Sequence, residues 1–221
     1  MILVEAGPEL FSMFKPNLRE YATKALTERT VEVRTGDAVA SVSPTRVRLK
    51  SGDVLEAHTL VWGAGLQGNE LVQSLGIELE RGNRIGVGPD LTLADHPEVF
   101  VLGDIAAIVD SKTEQVLPQL GSVALQSGEH AGETIFRRIA GKKTKPFAYK
   151  DKGTMAAIGR WAACVQFLGG RTMTGRKAAL AWLTVPAALL PTNEDRARAV
   201  VDWAGAGLTH QRAGRFTVGD D

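Results

Sequence analysis

A single cysteine, Cys164, occurs among 221 residues, which excludes an intrachain disulfide, a CxxC redox pair and a thiolate zinc cluster within the chain. An excess of one charge sign is missing too. With 26 Lys and Arg against 25 Asp and Glu, the net charge of +1 argues against nucleic acid or a strongly acidic partner. Long hydrophobic runs are absent: the longest, Ala178 to Leu190, has 13 residues and contains Pro186, short of the roughly 18 needed to span a bilayer. Surface attachment stays open. His58, His96, His130 and His210 lack metal-ligand spacing and read as surface or capping residues. No Ser-His-Asp or Cys-His array, internal repeat or low-complexity tract is legible.

What is present describes a globular α/β chain. Its length, divided by roughly 150 residues per domain, gives about one and a half domains, and 44% hydrophobic residues suffice for a core. The 24 glycines exceed the usual ~7% and point to backbone-defined turns or close ligand approaches. Met1-Ile2-Leu3-Val4, ending on Glu5-Ala6-Gly7-Pro8, reads as a buried parallel strand rather than a secretory signal. Its partner strands are expected upstream, so the chain is expected to start in mid-fold. Asn17 as N-cap and Glu20 in the capping-box position predict a helix with Leu18, Tyr21, Ala22, Ala25 and Leu26 on one face. Val31–Arg34, Val39–Val42, Val47–Leu49 and Val54-Leu55, separated by Gly- and Pro-containing turns, predict a β-meander.

Further strands are expected at Thr59–Trp62, Ile85–Val87 and Val99–Leu102, with a short helix between Asn69 and Leu75. A long helix, Gln119 to Ala140, should bury Leu120, Val123, Ala124, Ala131, Ile135 and Ile139 and be capped by Gly141. Strand-like Met155–Ile158 and Ala163–Phe167 follow, then the apolar run and a helix from Asn193 to Ala206. Strands alternating with helices give the α/β class.

Four features carry chemistry. Gly63-Ala64-Gly65-Leu66-Gln67-Gly68 matches G-x-G-x-x-G, and by itself it reads as a pyrophosphate cradle, a close backbone approach to a cofactor, or a plain turn. Glu5, at a strand end, is placed to accept hydrogen bonds from an adenosine ribose, which favours NAD over NADP; the alternative is a solvated strand-end carboxylate. Asp104 follows an apolar segment and Gly103, where it can accept from sugar-type hydroxyls at the carboxyl ends of the strands; otherwise it is a cap or turn residue. Arg171, Arg176 and Lys177 flank an apolar stretch with Trp182, as an interfacial membrane helix requires. A core helix of the C-terminal domain or a homodimer seam is the competing reading of 171–190. Cys164 reads as a buried small hydrophobe.

Taken together, Leu3-Val4-Glu5-Ala6-Gly7-Pro8, Val61-Trp62-Gly63-Ala64-Gly65, Val99-Phe100-Val101-Leu102-Gly103-Asp104-Ile105-Ala106, Leu117-Pro118 with Val123-Ala124-Leu125-Gln126, and Tyr149-Lys150-Asp151-Lys152-Gly153-Thr154-Met155-Ala156 are more specific than any one of them. In that order they resemble the C-terminal portion of a type II, single-subunit NADH:quinone oxidoreductase, a peripheral membrane flavoprotein of the pyridine nucleotide-disulfide reductase superfamily. The resemblance implies an incomplete two-dinucleotide-binding-domain fold (Rossmann-type, three-layer) with a β-meander and a C-terminal membrane-associating segment. It divides the chain into a partial NADH-binding domain (1–75), the C-terminal part of an FAD-binding domain (76–146) and an interface region (147–221).

By the same resemblance Glu5 would hold the NADH ribose. Gly63, Ala64 and Gly65 would line the nicotinamide side, as a later strand-turn and not a pyrophosphate loop. Gly103 and Asp104 would meet the FAD ribityl and pyrophosphate, and Val123 and Gln126 would lie near the flavin. Ser122 and Gln126 would face the quinone. Two departures stand out: Gly121-Ser122 replaces the family's Ala-Gln at the quinone-site helix, and both nucleotide glycine loops are expected upstream of residue 1, so weak FAD binding is expected of these residues alone. The implied cofactors are FAD and NADH, and the implied location is peripheral, on the cytoplasmic face of the membrane. The alternative is a non-catalytic fragment or interaction module that needs a partner chain. A sulfide:quinone oxidase of the same superfamily would require paired cysteines that one Cys cannot supply.

Overall fold

In the computed structural model, which describes residues 1–190 and 192–209 except for the side chains of 185–189 and 204–209, the order of elements is α/β throughout. The chain runs through β1 (Ile2–Glu5), α1 (Pro16–Thr27), β2 (Glu32–Thr35), β3 (Val39–Ser43), β4 (Arg46–Leu49) and β5 (Val54–Glu56). It continues with β6 (Leu79–Glu80), β7 (Arg84–Gly86), β8 (Ala106–Ala107), α2 (Gly121–Ile139), β9 (Thr154–Gly159), β10 (Ala162–Gln166), β11 (Thr172–Thr174), α3 (Gly175–Leu189) and α4 (Asn193–Thr209). Contacts group these into two compact units: Met1–Leu60 with the segment from Lys152 onward, and Val61–Asp151. His210 lies outside the described residues.

In the first unit β1 pairs in parallel with β2, from Ile2 opposite Glu32 to Glu5 opposite Thr35. The segment expected at Val31–Arg34 therefore belongs beside β1, and the antiparallel meander is β3-β4-β5. β1 is half-exposed rather than buried. Helix α1 starts one residue earlier than the predicted cap. Pro16, whose ring presets a helical φ and whose missing N–H needs no partner, takes the first helical position, and Lys15 is the N-cap with no side-chain bond. Asn17 lies inside the helix and donates from Nδ2 to Thr172 Oγ1 at 3.0 Å. Leu18, Ala22, Ala25 and Leu26 are buried, as their spacing predicts.

Strand β10 lies between antiparallel β9 and β11 and is covered on both faces. Successive strand residues point to opposite faces, and the two faces have different neighbours. Cys164 packs with Phe14 and Leu18 of the α1 side, while Ala163 and Val165 pack with Ala178 and Ala179 of α3. Small side chains at these positions let a helix approach each face closely. Burial pushes the Cys164 thiol above its ordinary pKa, partly offset by backbone hydrogen bonds, as fits an unreactive core position. Helix α3 is thus a core helix along Ala178 and Ala179, while Arg176, Lys177 and Leu180 stay exposed. Among the described residues no helix is long and apolar enough to cross a membrane.

The second unit has β6 antiparallel and β8 parallel to β7, around a core of Val72, Ile85, Leu91, Val101, Ile108, Leu117, Val123 and Phe147. Thr59–Trp62 is not a strand: among the described residues nothing pairs with it, and Val61 and Trp62 are 87% and 63% exposed. An apolar run becomes a strand only where its backbone groups find a ladder. Val99–Leu102 likewise forms no regular strand; it is tied down by a single bridge, Thr92 to Phe100, and by Val101 N–H donating to Leu91 O at 3.0 Å. Helix α2 begins at Gly121 rather than Gln119, and its buried stripe is Val123, Ser127, Ala131 and Thr134. Ile135 and Ile139, expected inside, are 43% and 83% exposed, because the core contacts only one narrow stripe of the helix. Gly141 follows the C-cap at φ +64°, as predicted.

Arg138 near the end of α2 pairs with Asp90 at 2.5 Å and lies over the Phe100 ring, 5.1 Å from its centroid. Partial burial alone would raise the Asp90 carboxyl, but hydrogen bonds from the Thr92 hydroxyl and from backbone N–H groups, with the Arg138 charge, hold it below its ordinary 3.8. A depressed folded-state pKa gives stability that is complete above the unfolded value and is lost as pH falls through the folded one. Acid titration of the unfolding midpoint below about pH 4 should therefore be flatter in Asp90→Asn than in the parent chain. In the first unit, Cys164→Leu should destabilise by about 1–3 kcal/mol in urea denaturation, because Cys164 is fully enclosed against Phe14 and Leu18 on the α1 face of β10.

Candidate functional site

The second unit's site is assembled around a buried guanidinium. Arg84 on β7 is only 9% exposed, and it donates from Nε to Ala106 O at 3.0 Å and from Nη2 to Leu117 O at 3.0 Å, with a further Nη2 contact to Ala106 O. It makes no ion pair among the described residues, and burial lowers its pKa while the Asp104 charge raises it. An arginine nevertheless stays charged. Two carbonyls on either side of the 107–116 loop are thereby fixed relative to β7, and so is the turn that precedes them.

That turn is the short 3-10 helix Gly103–Ile105. Gly103 sits at φ +65°, a conformation that costs glycine little, and its N–H donates to Ser127 Oγ at 3.3 Å. A Cβ at Gly103 would lie 3.5 Å from Ala124 Cβ, so the turn rests directly on α2. Asp104 is exposed; its backbone oxygen, not its carboxylate, accepts from Gln119 Nε2 at 2.9 Å. The apolar segment before it turns at Gly103 and leaves the Asp104 side chain exposed. The carboxylate accepts no hydrogen bond among the described residues.

Helix α2 begins beside this turn. Its N-cap, Leu120, offers no capping side chain, the first turn holds no acid, and the N–H groups of Gly121 and Ser122 have no partner among the described residues. A 19-residue helix left uncapped presents a positive dipole end and free donors. Ser122 Oγ is 2.8 Å from the Tyr149 hydroxyl. Gln126 uses both ends of its amide on one residue, donating to Lys150 O and accepting from Lys150 N–H, each at 3.0 Å. Val123, only 2% exposed, is a core residue whose side chain packs inward.

The structure therefore brings together Gly103, Asp104, Ser122, Val123 and Gln126, within one unit. Gly63, Ala64 and Gly65 belong to the same unit but lie on an exposed irregular segment, where a Cβ at Gly63 or Gly65 would meet nothing within 4 Å. Within the hexad Gly68 leaves no room for a side chain, since an added Cβ would fall 1.9 Å from Asn83 O and its N–H donates to Gly82 O at 2.8 Å, while Gly65, at φ +107°, holds a backbone conformation that favours glycine. Its third glycine thus serves close packing of the chain against Gly82 and Asn83, which none of the three readings of the pattern named.

Glu5 stands in the other unit, at the end of β1, half-buried, and its Oε1 accepts from Gly7 N–H at 2.7 Å. The loop is closed further by Gly36 N–H donating to Gly7 O at 2.7 Å. One carboxylate oxygen is held by its own turn; the other accepts no hydrogen bond among the described residues. Of the described histidines, His96 faces Glu98 and His130 packs edge-on against Phe147 inside α2's surroundings. No group of metal-ligating residues occurs among the described residues. Sequence reasoning missed Arg84, for which a lone arginine in a short strand gives no signal, and the roles of Gln119 and Tyr149 as partners of the turn and of Ser122.

Comparison with known proteins adds the following. The pyridine nucleotide-disulphide oxidoreductase family matches residues 1–128. The type II NADH:quinone oxidoreductase of Staphylococcus haemolyticus (strain JCSC1435) is 34% identical over 179 residues, covering 80% of this chain and 44% of that protein. The type II NADH:quinone oxidoreductase Ndh of Mycobacterium tuberculosis (strain ATCC 25618 / H37Rv) is 29% identical over 231 residues, covering 100% of this chain and 48% of that protein. The chain thus spans about half the length of the curated relatives it matches. Among solved structures, NDH2 from Plasmodium falciparum in complex with NADH superposes with a TM-score of 0.84 over 97% of this chain and 59% of that one. At 15% identity this shows the fold alone.

Replacing Arg84 by Met keeps volume but strands the Ala106 and Leu117 carbonyls. The expected loss is on the order of 2–5 kcal/mol in urea denaturation, with hydrogen exchange rising first over residues 103–119.

Proposed function

The chain belongs to the pyridine nucleotide-disulphide oxidoreductase family, and from that membership we propose that it carries part of the redox apparatus of a type II NADH:quinone oxidoreductase. The observation that carries this reading is the uncapped start of α2 beside the Gly103–Asp104 turn. Free N–H donors at a helix's positive end suit an anionic or carbonyl-rich cofactor edge, and an unengaged carboxylate beside them suits a polyhydroxyl chain. The residues present therefore fit FAD. When bound, FAD supplies hydride acceptance from NADH and two-electron delivery to a quinone.

The chain's own residues hold and orient. Gly103 and Asp104 would bind the ribityl and pyrophosphate portion, and Val123 would hold the helix on its core. Gln126 would fix the 149–150 backbone alongside, and the Ser122 and Tyr149 hydroxyls would face the quinone. Glu5, its carboxylate already oriented by Gly7, would accept from the NADH ribose hydroxyls; Gly63, Ala64 and Gly65, with no side chains to obstruct, would line the nicotinamide. In this reading 1–75 is the partial NADH-binding domain, 76–146 the FAD-binding portion and 147–221 the interface region. Exposed Arg171, Arg176, Lys177 and Leu180 support attachment of 171–190 to the cytoplasmic face of a membrane, and exposed Val200 and Val201 offer a surface that a second copy of the chain would cover.

The assignment of two nucleotides to two places is testable on the chain as it is. Titration with FAD, followed by flavin fluorescence, should show weak saturable binding that Asp104→Asn reduces about tenfold and Glu5→Gln leaves unchanged. Titration with NADH, followed by its own fluorescence, should show the reverse pattern. Loss of both ligands in either variant, or of neither, would sink the assignment.

A further inference from the structure

The first unit contains a cavity of about 350 Å³ between the β9–β10 hairpin, α3 and α4, lined by none of the residues given a redox role above. Three of the chain's four tryptophans line it: Trp161 at the hairpin, Trp182 on α3 and Trp203 on α4. Leu183 completes the apolar side and Ala179, 4% exposed, lies at the base. The hairpin contributes small residues, which is what leaves the space open between three large rings. Trp161 remains 44% exposed at the edge, an apolar surface that the fold itself does not cover.

The charge at this site is single and unengaged. Arg160 is the one charged lining residue; it is exposed and makes no ion pair or hydrogen bond among the described residues. A nucleotide would call for converging polar donors, which this wall lacks. Arg176 and Lys177, on the neighbouring exposed part of α3, are not among the lining residues, so the cavity itself presents one cation, enough for one carboxylate. The volume lies at the lower end of the ~300–1,000 Å³ range of small-molecule sites, which suits one chain rather than a two-tailed lipid. We propose that this cavity binds a single free long-chain carboxylate, with the tail among Trp161, Trp182, Trp203 and Leu183 and the carboxylate on the Arg160 guanidinium.

The tryptophans make the test direct. In a Trp62→Phe background, all remaining indole fluorescence comes from the cavity. Addition of 11-bromoundecanoate, below its micelle-forming concentration, should quench that fluorescence saturably, and 11-bromoundecanol should bind about tenfold more weakly because it lacks the charge-assisted contact. Arg160→Gln should weaken the carboxylate about tenfold and leave the alcohol unchanged, erasing the difference. Ala157→Phe, placed on the exposed lining of β9, should fill the space and abolish saturable quenching of both, with circular dichroism confirming the fold. Equal binding of acid and alcohol, indifference to Arg160→Gln, purely collisional quenching, or quenching by vesicles of brominated phosphatidylcholine alone would overturn the proposal. Arg160 is exposed, so its variant keeps the test decisive even if Ala157→Phe fails to fold.

Discussion

Arg84 places a buried cation where carbonyl dipoles, not a carboxylate, receive it. Desolvating a charge is costly, and the cost is met here by hydrogen bonds to Ala106 and Leu117, which add to the β7–β8 ladder and to the Leu117 N–H bond to Ile108 O in holding this segment. The Gly103–Ile105 turn, the loop that follows and the approach to α2 all depend on that anchorage. Asp104 and the open end of the helix owe their positions to a residue that touches neither. Burial lowers the pKa of the guanidinium and the nearby Asp104 charge partly opposes that, so the anchor and the candidate ligand residue are coupled electrostatically as well as mechanically.

In the first unit the equivalent constraint is one of volume. β10 has a helix on each face, and the alternation Ala162, Ala163, Cys164, Val165 keeps both faces thin. Close packing rewards such a strand only if both helices reach it, which ties α1, from early in the chain, to α3, from late in it. The long sequence separation between Leu18 and Cys164 in one cluster is the price of that arrangement.

Patterns of one element were legible in the sequence where they depended on neighbours close in the chain. The α1 stripe from Leu18 to Leu26, the meander turns, Gly141 past α2 and the buried Cys164 all follow local rules. Failures came where the outcome depended on a distant partner. Thr59–Trp62 has strand composition but no ladder, Ile135 and Ile139 have helical spacing but no facing core, and Asn17 has capping chemistry but follows a proline that starts the helix first. At the candidate site the residue types at Gly103, Asp104 and Gln126 were readable from their motifs. The buried Arg84 and the reciprocal amide contacts of Gln126 with Lys150 were not, since both join segments whose adjacency no spacing encodes.

The full enclosure of Cys164 between α1 and β10 has a practical corollary. Because no other thiol exists in the chain, a thiol-selective reagent reports only on moments when that sandwich opens. The rate of modification is then a stopwatch for the breathing of the first unit, free of background, and it runs without any engineered probe.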